Sequence, residues 1–347
     1  MDYKKSYDLW LNNEKFDELT RKELEEIKDN DEEIKDRFFS SLEFGTAGLR
    51  GKLGAGTNRM NEYMVAQATQ GFADTIAEMG EDAKKAGVAI SYDVRHKSEE
   101  FAKITAEVFA ANGIKVYIYK EIQPTPVLSY TVRHLKTSAG VMITASHNPM
   151  EYNGYKAYNA EGSQILDETA DKILGHIAEH PDFFEIPRID FEKGLKDGII
   201  EWVPDSVVED YVKEILDCTI NEDIDKDINI VYTPLNGTGN KLVRRILDER
   251  GFKNIHVVAE QENPDPDFTT VGYPNPEMPA AFEYSEKLGK EVGADLLLAT
   301  DPDADRCAVE INDGNGEFVF LTGNKIGALL TNYILEALDK NGELPEN

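Results

Sequence analysis

An α/β fold is predicted, built from repeated domains with mixed, mostly parallel sheets. Three observations predict it. Short apolar runs that end in polar residues recur along the chain. Segments with helical spacing separate them, and such strand–helix alternation favours parallel pairing. The pattern also starts again beyond residue 205, so the unit repeats in coarse form. With 347 residues the chain is too long for one ordinary domain.

Residues 1–40 read as a charged helical extension, where Thr20 and Glu23 have the spacing of a capping box, with Leu24 and Ile27 following at helical spacing. Val65, Ala68, Phe72, Ile76 and Met79 mark one helix face, and Phe101, Ile104, Thr105 and Val108 the next. Between and after them come the strands GVAISYD (87–93), IKVYIY (114–119) and SAGVMIT (138–144). NGYKAYNAEGSQI (153–165) reads as a hairpin with Gly162 near its turn. A helix over 204–217 then leads to INIVYT (228–233), a helix over 240–250 and IHVV (255–258). The proline-rich stretch 263–279 excludes regular structure, and a helix over 280–292 precedes DLLLAT (295–300). Boundaries near 205 and 318 divide the chain into 1–205, 206–318 and 319–347. The last segment, one strand and one helix, is too little to close a domain, so a piece of a longer protein is expected.

Charge narrows the function. Asp and Glu outnumber Lys and Arg by 66 to 37, a formal charge of -29. Such a chain repels nucleic acid and anionic membranes, so neither is an expected partner. An anionic substrate would need a locally basic or metal-bearing site. Two distant cysteines, Cys218 and Cys307, form no CxxC pattern and fit a reducing compartment. MDYKKSYDLW lacks the apolar core of a signal peptide, and no apolar run approaches the ~20 residues of a membrane span. A cytoplasmic location is expected.

Two polar constellations follow apolar strands, the place where open α/β sheets bind ligands. TASHNP, Thr144 to Pro149, is either a polar turn closed by proline or the seat of an active Ser146. The glycines of a GxSxG elbow are missing, and His147 beside Ser146 makes no triad by itself. In DPDADR, Asp301, Asp303 and Asp305 stand at alternate positions of a tight loop and can converge on one cation. Hard oxygen donors point to magnesium. An EF-hand is excluded, because its glycine and glutamate positions hold Arg306 and Asn312. An aspartyl-phosphate phosphatase fits poorly, since Asp305 stands where threonine or valine is usual. A solvated acidic loop remains the plain alternative. Arg306 offers a fork of donors suited to phosphate, or an internal salt bridge to one of the aspartates.

A third segment, EFGTAGLRGKLGAG (Glu43 to Gly56), combines flexible glycines with Arg50 and Lys52 but matches no dinucleotide fingerprint. NGTGNK (236–241) lacks the Walker spacing and reads as a strand-to-helix turn.

These motifs, in this order, resemble the α-D-phosphohexomutase family over about residues 40 to 347. TASHNP with NGYK is similar to its phosphoserine loop, DPDADR to its metal loop and FGTAGLRG to its N-terminal arginine motif. The charged N-terminal extension, EFGTAGLRG and LTGNKIGALL look most like the branch of bacterial α-phosphoglucomutases and phosphopentomutase-type enzymes. The resemblance implies that Ser146 carries the phosphoryl group, and that Asp301, Asp303 and Asp305 bind Mg²⁺ with a phosphoserine oxygen of Ser146 as a further ligand. It implies that Lys156 is an acid/base for the sugar hydroxyl. Arg50 and Arg306 would face the phosphoryl group, and His147 and Asn148 would orient the loop. It implies exchange of a phosphoryl group between C1 and C6 of a hexose phosphate, with glucose 1-phosphate and glucose 6-phosphate the expected pair and glucose 1,6-bisphosphate as activator. The family's sugar-recognition string (GEESG or FEEAIG) and its phosphate-binding RxSGTEP string do not occur here. Mannose and pentose phosphates therefore stay open as substrates. A magnesium-dependent sugar-phosphate phosphatase, or a noncatalytic sugar-phosphate binder, are the competing classes.

Overall fold

The computed structural model describes residues 2–46 and 48–345. The chain forms two compact units, Met1–Val203 and Pro204–Asn347.

The first unit contains β1 (Leu49–Lys52), β2 (Val88–Tyr92), β3 (Val116–Ile118), β4 (Ala139–Ile143), β5 (Tyr152–Asn159) and β6 (Ile200–Trp202). They form one sheet in the order β1-β5-β4-β2-β3-β6. The β4-β2-β3-β6 part is parallel, and β5 and β1 add antiparallel strands at one side. All five residues of β2 and of β4 are buried, as expected for parallel strands covered on both faces. Alternate residues serve the two faces. Val88, Ile90, Val141 and Ile143 pack with Phe72, Ile76 and Phe109 of helices Glu62–Glu78 and Ser98–Ala111. Ala89, Met142 and Tyr158 pack against Leu128 and Val132 of helix Thr125–Leu135.

The N-terminal extension is three short helices, Tyr3–Asn12, Glu18–Glu26 and Asp31–Phe38. Tyr7, Trp10, Phe16, Leu24 and Phe38 bury an aromatic cluster against Tyr63 and Met64. The expected Thr20/Glu23 capping box does not form. Asp17 caps instead, its carboxylate accepting from the Thr20 N–H at 2.9 Å and the Thr20 hydroxyl at 2.5 Å. Glu23 accepts from the Ala55 N–H at 3.2 Å and pairs with Arg37. A carboxylate three residues earlier outcompetes the threonine, and tertiary partners take Glu23 away.

The hairpin read over 153–165 is also corrected. β5 pairs along its length with β4 and β1, and the chain beyond the Gly162 turn returns only through a bridge between Tyr158 and Gln164. The long strand follows the pairing that buries Tyr155 and Ala157 in the core.

The second unit holds β7 (Ile230–Thr233), β8 (Ile255–Val257), β9 (Leu296–Thr300), β10 (Cys307–Asn312) and β11 (Phe318–Leu321), in the order β11-β10-β9-β7-β8. β9-β7-β8 is parallel, and β10 and β11 are antiparallel additions. Val231, Leu297, Ala299 and Ala308 pack with Ala281, Phe282 and Leu288 beneath helix Glu283–Val292. Residues 318–321 thus complete this sheet, whereas the sequence reading opened a third domain at 319. The terminal helix Gly323–Asn341 exposes Leu329, Leu330, Tyr333 and Leu335. Among the described residues no helix is long and apolar enough to cross a membrane.

Candidate functional site

Ser146 follows β4, and Asp93 follows its parallel neighbour β2, so both lie at the carboxyl edge of one sheet. Ser146 is 3% exposed and sits in the left-handed region, with φ 53°. A residue with a Cβ loses roughly 1–2 kcal/mol there, so the surroundings must hold it. They do so through hydrogen bonds. The Ser146 N–H donates to Thr144 Oγ1 at 2.8 Å, and the Thr144 hydroxyl donates to Asp93 Oδ2 at 2.6 Å. Ser98 Oγ and the Arg95 N–H donate to Asp93 Oδ1 at 2.7 and 3.0 Å. Burial pushes the Asp93 carboxyl up, while Arg95 and these hydrogen bonds pull it down.

Ser146 Oγ lies 3.3 Å from His147 Nδ1. Arg50, on β1, reaches the same loop, its Nη1 donating to Asn148 Oδ1 at 3.2 Å. The register that brings it there pairs Arg50 with Gly154 of β5. A Cβ at Gly154 would stand 2.5 Å from the Thr144 carbonyl oxygen and 2.8 Å from that of Leu49, so only glycine lets the strands close at this point. Lys156 is two residues further along β5, opposite Met142, and 4% exposed. It is a buried lysine on a central strand, not a surface lysine on a hairpin.

In the second unit the DPDADR loop joins β9 to β10. One carboxylate oxygen each from Asp301, Asp303 and Asp305 lies within 4.8 Å of the others. Asp301 and Asp303 are fully buried, and Asp305 is exposed. Burial first, and then the charges of Asp303 and Asp305, push the Asp301 carboxyl well up. A cation among the three would relieve that repulsion, so this all-oxygen donor set fits a hard divalent ion. Arg306 closes the same loop. Its backbone N–H donates to Asp301 Oδ1 at 3.0 Å, while its guanidinium pairs with Glu277 at 3.0 Å.

The turn 236–239, between β7 and helix Asn240–Glu249, supports the acidic loop. The Thr238 N–H and hydroxyl donate to the Pro302 carbonyl at 2.8 and 2.9 Å. A Cβ on Gly237 would meet Pro302 Cα at 2.5 Å.

The structure therefore gathers Arg50, Ser146, His147 and Asn148 at one edge of the first unit, with Lys156 on the adjoining strand. It gathers Asp301, Asp303, Asp305 and the Arg306 backbone in the second. Sequence reasoning missed Asp93, Arg95 and Thr238. Asp93 ends, and Arg95 follows, a strand it had identified, and that position was the available signal.

Two family models match the chain. The model for phosphoglucomutase/phosphomannomutase alpha/beta/alpha domain I covers residues 41–182, and that for domain II covers residues 209–314. The chain belongs to the phosphoglucomutase/phosphomannomutase family. It is 40% identical over 306 residues to a phosphoglucomutase of Staphylococcus epidermidis, covering 87% of this chain and 54% of the relative. Against a phosphoglucomutase of Staphylococcus aureus it is 39% identical over 307 residues, covering 88% and 54%. A solved protein of Thermus thermophilus, provisionally named a phosphomannomutase, superposes with TM-score 0.70 at 25% identity, covering 86% of this chain and 62% of that one. The chain spans about half the length of the curated relatives it matches.

Proposed function

We propose that this chain carries the phosphoryl-transfer residues of a phosphohexomutase, with Ser146 as the phosphate carrier. The observation that carries the reading is the hold on Ser146. Its main chain is fixed in a left-handed conformation by Thr144 and Asp93, with Arg50 arriving on the same loop. Family membership and the three convergent aspartates support it.

In the forward half-reaction a hexose-phosphate hydroxyl attacks the phosphorus of phosphoserine. The oxygen–phosphorus bond to Ser146 breaks, and a hexose 1,6-bisphosphate results. After reorientation Ser146 Oγ attacks the other phosphorus, the oxygen–phosphorus bond to the sugar breaks, and the freed sugar oxygen takes back a proton, leaving phosphoserine and the isomeric hexose phosphate. Lys156 is the proposed group that takes the proton of the attacking sugar hydroxyl. Arg50 and Arg306 are proposed to bind the phosphoryl oxygens, and His147 and Asn148 to orient the loop. Such transfer depends mainly on positioning and charge neutralisation. Asp301, Asp303 and Asp305 would hold Mg²⁺, which when bound supplies positive charge to phosphate oxygens. Glucose 1-phosphate and glucose 6-phosphate are the proposed substrate pair, and glucose 1,6-bisphosphate the priming phosphate donor.

The test is intact mass after incubation with glucose 1,6-bisphosphate and Mg²⁺, beside Ser146→Ala. One phosphoryl group on the parent and none on the variant is expected. Equal labelling of both chains, or none on a chain extended to the relatives' length, would sink the assignment.

A further inference from the structure

We propose that Arg95 is the positioning residue for the Ser146 loop, acting by a fork of hydrogen bonds onto the loop's own carbonyls; the catalytic consequence rests on Ser146 being the phosphate carrier. Arg95 Nη2 donates to the carbonyls of Ser146 and Asn148, each at 2.5 Å. Its Nη1 donates to those of Pro149 and Tyr152 at 2.8 and 3.1 Å. Its Nε lies 3.2 Å from Asp93 Oδ2, with both side chains wholly buried. A guanidinium has five N–H groups in a fixed plane; here the four on Nη1 and Nη2 go to carbonyls, while Nε pairs with Asp93 by charge without a hydrogen bond.

The segment so held has little order of its own. Between β4 and β5 its internal main-chain bonds are Asn148 N–H to Ala145 and Tyr152 N–H to Pro149, both at 3.1 Å. Both sides of the Ser146 main chain lead back to one buried pair. The carbonyl is held by Arg95. The N–H is held through Thr144 by Asp93. Fixing both directs Oγ without engaging it.

A division of labour follows. Arg50 reaches the loop through the Asn148 side chain, and its role toward phosphate remains as proposed above. Arg95 has its donors committed to the fold, so it acts on phosphate only through Ser146. Losing it should slow transfer while leaving sugar-phosphate affinity nearly intact.

Arg95→Lys tests this, since one ammonium with three donors cannot span four carbonyls and a carboxylate. A loop displaced by an ångström costs on the order of a hundredfold in rate. The expected result is Ser146 phosphorylation by glucose 1,6-bisphosphate slowed at least about tenfold, with the half-saturating concentration changed less than about threefold. Hydrogen exchange supplies a readout independent of catalysis. Peptides over 144–152 should exchange at least about tenfold faster, while 88–92 and 139–143 keep their protection. The paired change Asp93→Asn with Arg95→Gln, which leaves no lone buried charge, should behave the same way. Absence of any phosphoryl group on a chain extended to the relatives' length would fail the Ser146 reading, and the exchange comparison would still decide the clamp. Unchanged exchange at 144–152, or equal loosening of β2 and β4, would overturn it.

Discussion

Glu310 is a buried carboxyl whose titration should change stability. It lies on β10 between Leu297 of β9 and Phe320 of β11, on the face covered by helix Glu283–Val292, and is 2% exposed. Its Oε2 has no hydrogen-bond partner among the described residues. Burial, and then the charge of Glu286, push its carboxyl from 4.5 up to about 7. The folded state therefore holds this proton more tightly than the unfolded chain does. Stability is fully present below pH 4.5, falls as pH rises toward 7, and levels off above, with a loss on the order of 3 kcal/mol. Glu310→Gln removes the charge and keeps the shape. It should raise the stability of the second unit by about 1–3 kcal/mol at pH 8, the spread reflecting the buried amide, and have little effect near pH 4.5. The assay must see that unit alone. Both tryptophans, Trp10 and Trp202, lie in the first unit, so their fluorescence does not report on it. Hydrogen exchange over 296–312 between pH 5 and 8, corrected for the intrinsic rate, does. Parallel pH dependences for parent and variant, or a variant less stable at pH 8, would refute the reasoning.

Three further outcomes follow from the geometry. Mg²⁺ should raise the melting temperature of the second unit, by about 2.7 kcal/mol of stabilisation at a hundredfold excess over Kd, and Asp303→Asn should abolish that shift. Without metal it should melt no lower than the parent, because one of three converging charges has gone; a lower melting point with the Mg²⁺ response retained would count against the site. Gly154→Ala should destabilise the first unit by roughly 2–4 kcal/mol in denaturant titration, since its Cβ meets two carbonyl oxygens below 3 Å; a change under about 0.5 kcal/mol would show that the strands can shift apart. Asp17→Ala should cost about 1 kcal/mol by loss of the helix cap, with Thr20→Ala costing less; the reverse order would restore the capping-box reading.

The parts of the site that were legible in the sequence share one property. TASHNP and DPDADR each directly follow an apolar strand, and a strand's carboxyl end is a place the chain's local pattern can mark. Tertiary competition was not legible. Nothing local indicates that Glu23 turns toward Ala55 and Arg37, or that β5 forgoes a full hairpin to lie between β1 and β4. The membership of β11 was hidden for the same reason, since Phe318–Leu321 can be assigned to a sheet only by its antiparallel register with Cys307–Asn312.

Arg95 shows where that limit bears on function. Its acceptors lie more than 50 residues away and are main-chain carbonyls, which every residue carries and no side-chain pattern reveals. The residues expected to touch the phosphoryl group announce themselves by type, as serine, aspartate, arginine and lysine. A residue that shapes their loop needs only donors in the right plane and burial enough to make them count. The acidic loop is supported similarly, by Thr238 on the Pro302 carbonyl and by Gly237 allowing the approach. In both units the chemistry-bearing loop is thus held by a neighbouring strand-end turn through its backbone. Substitutions in those turns should change rate or metal response while the motifs themselves remain intact.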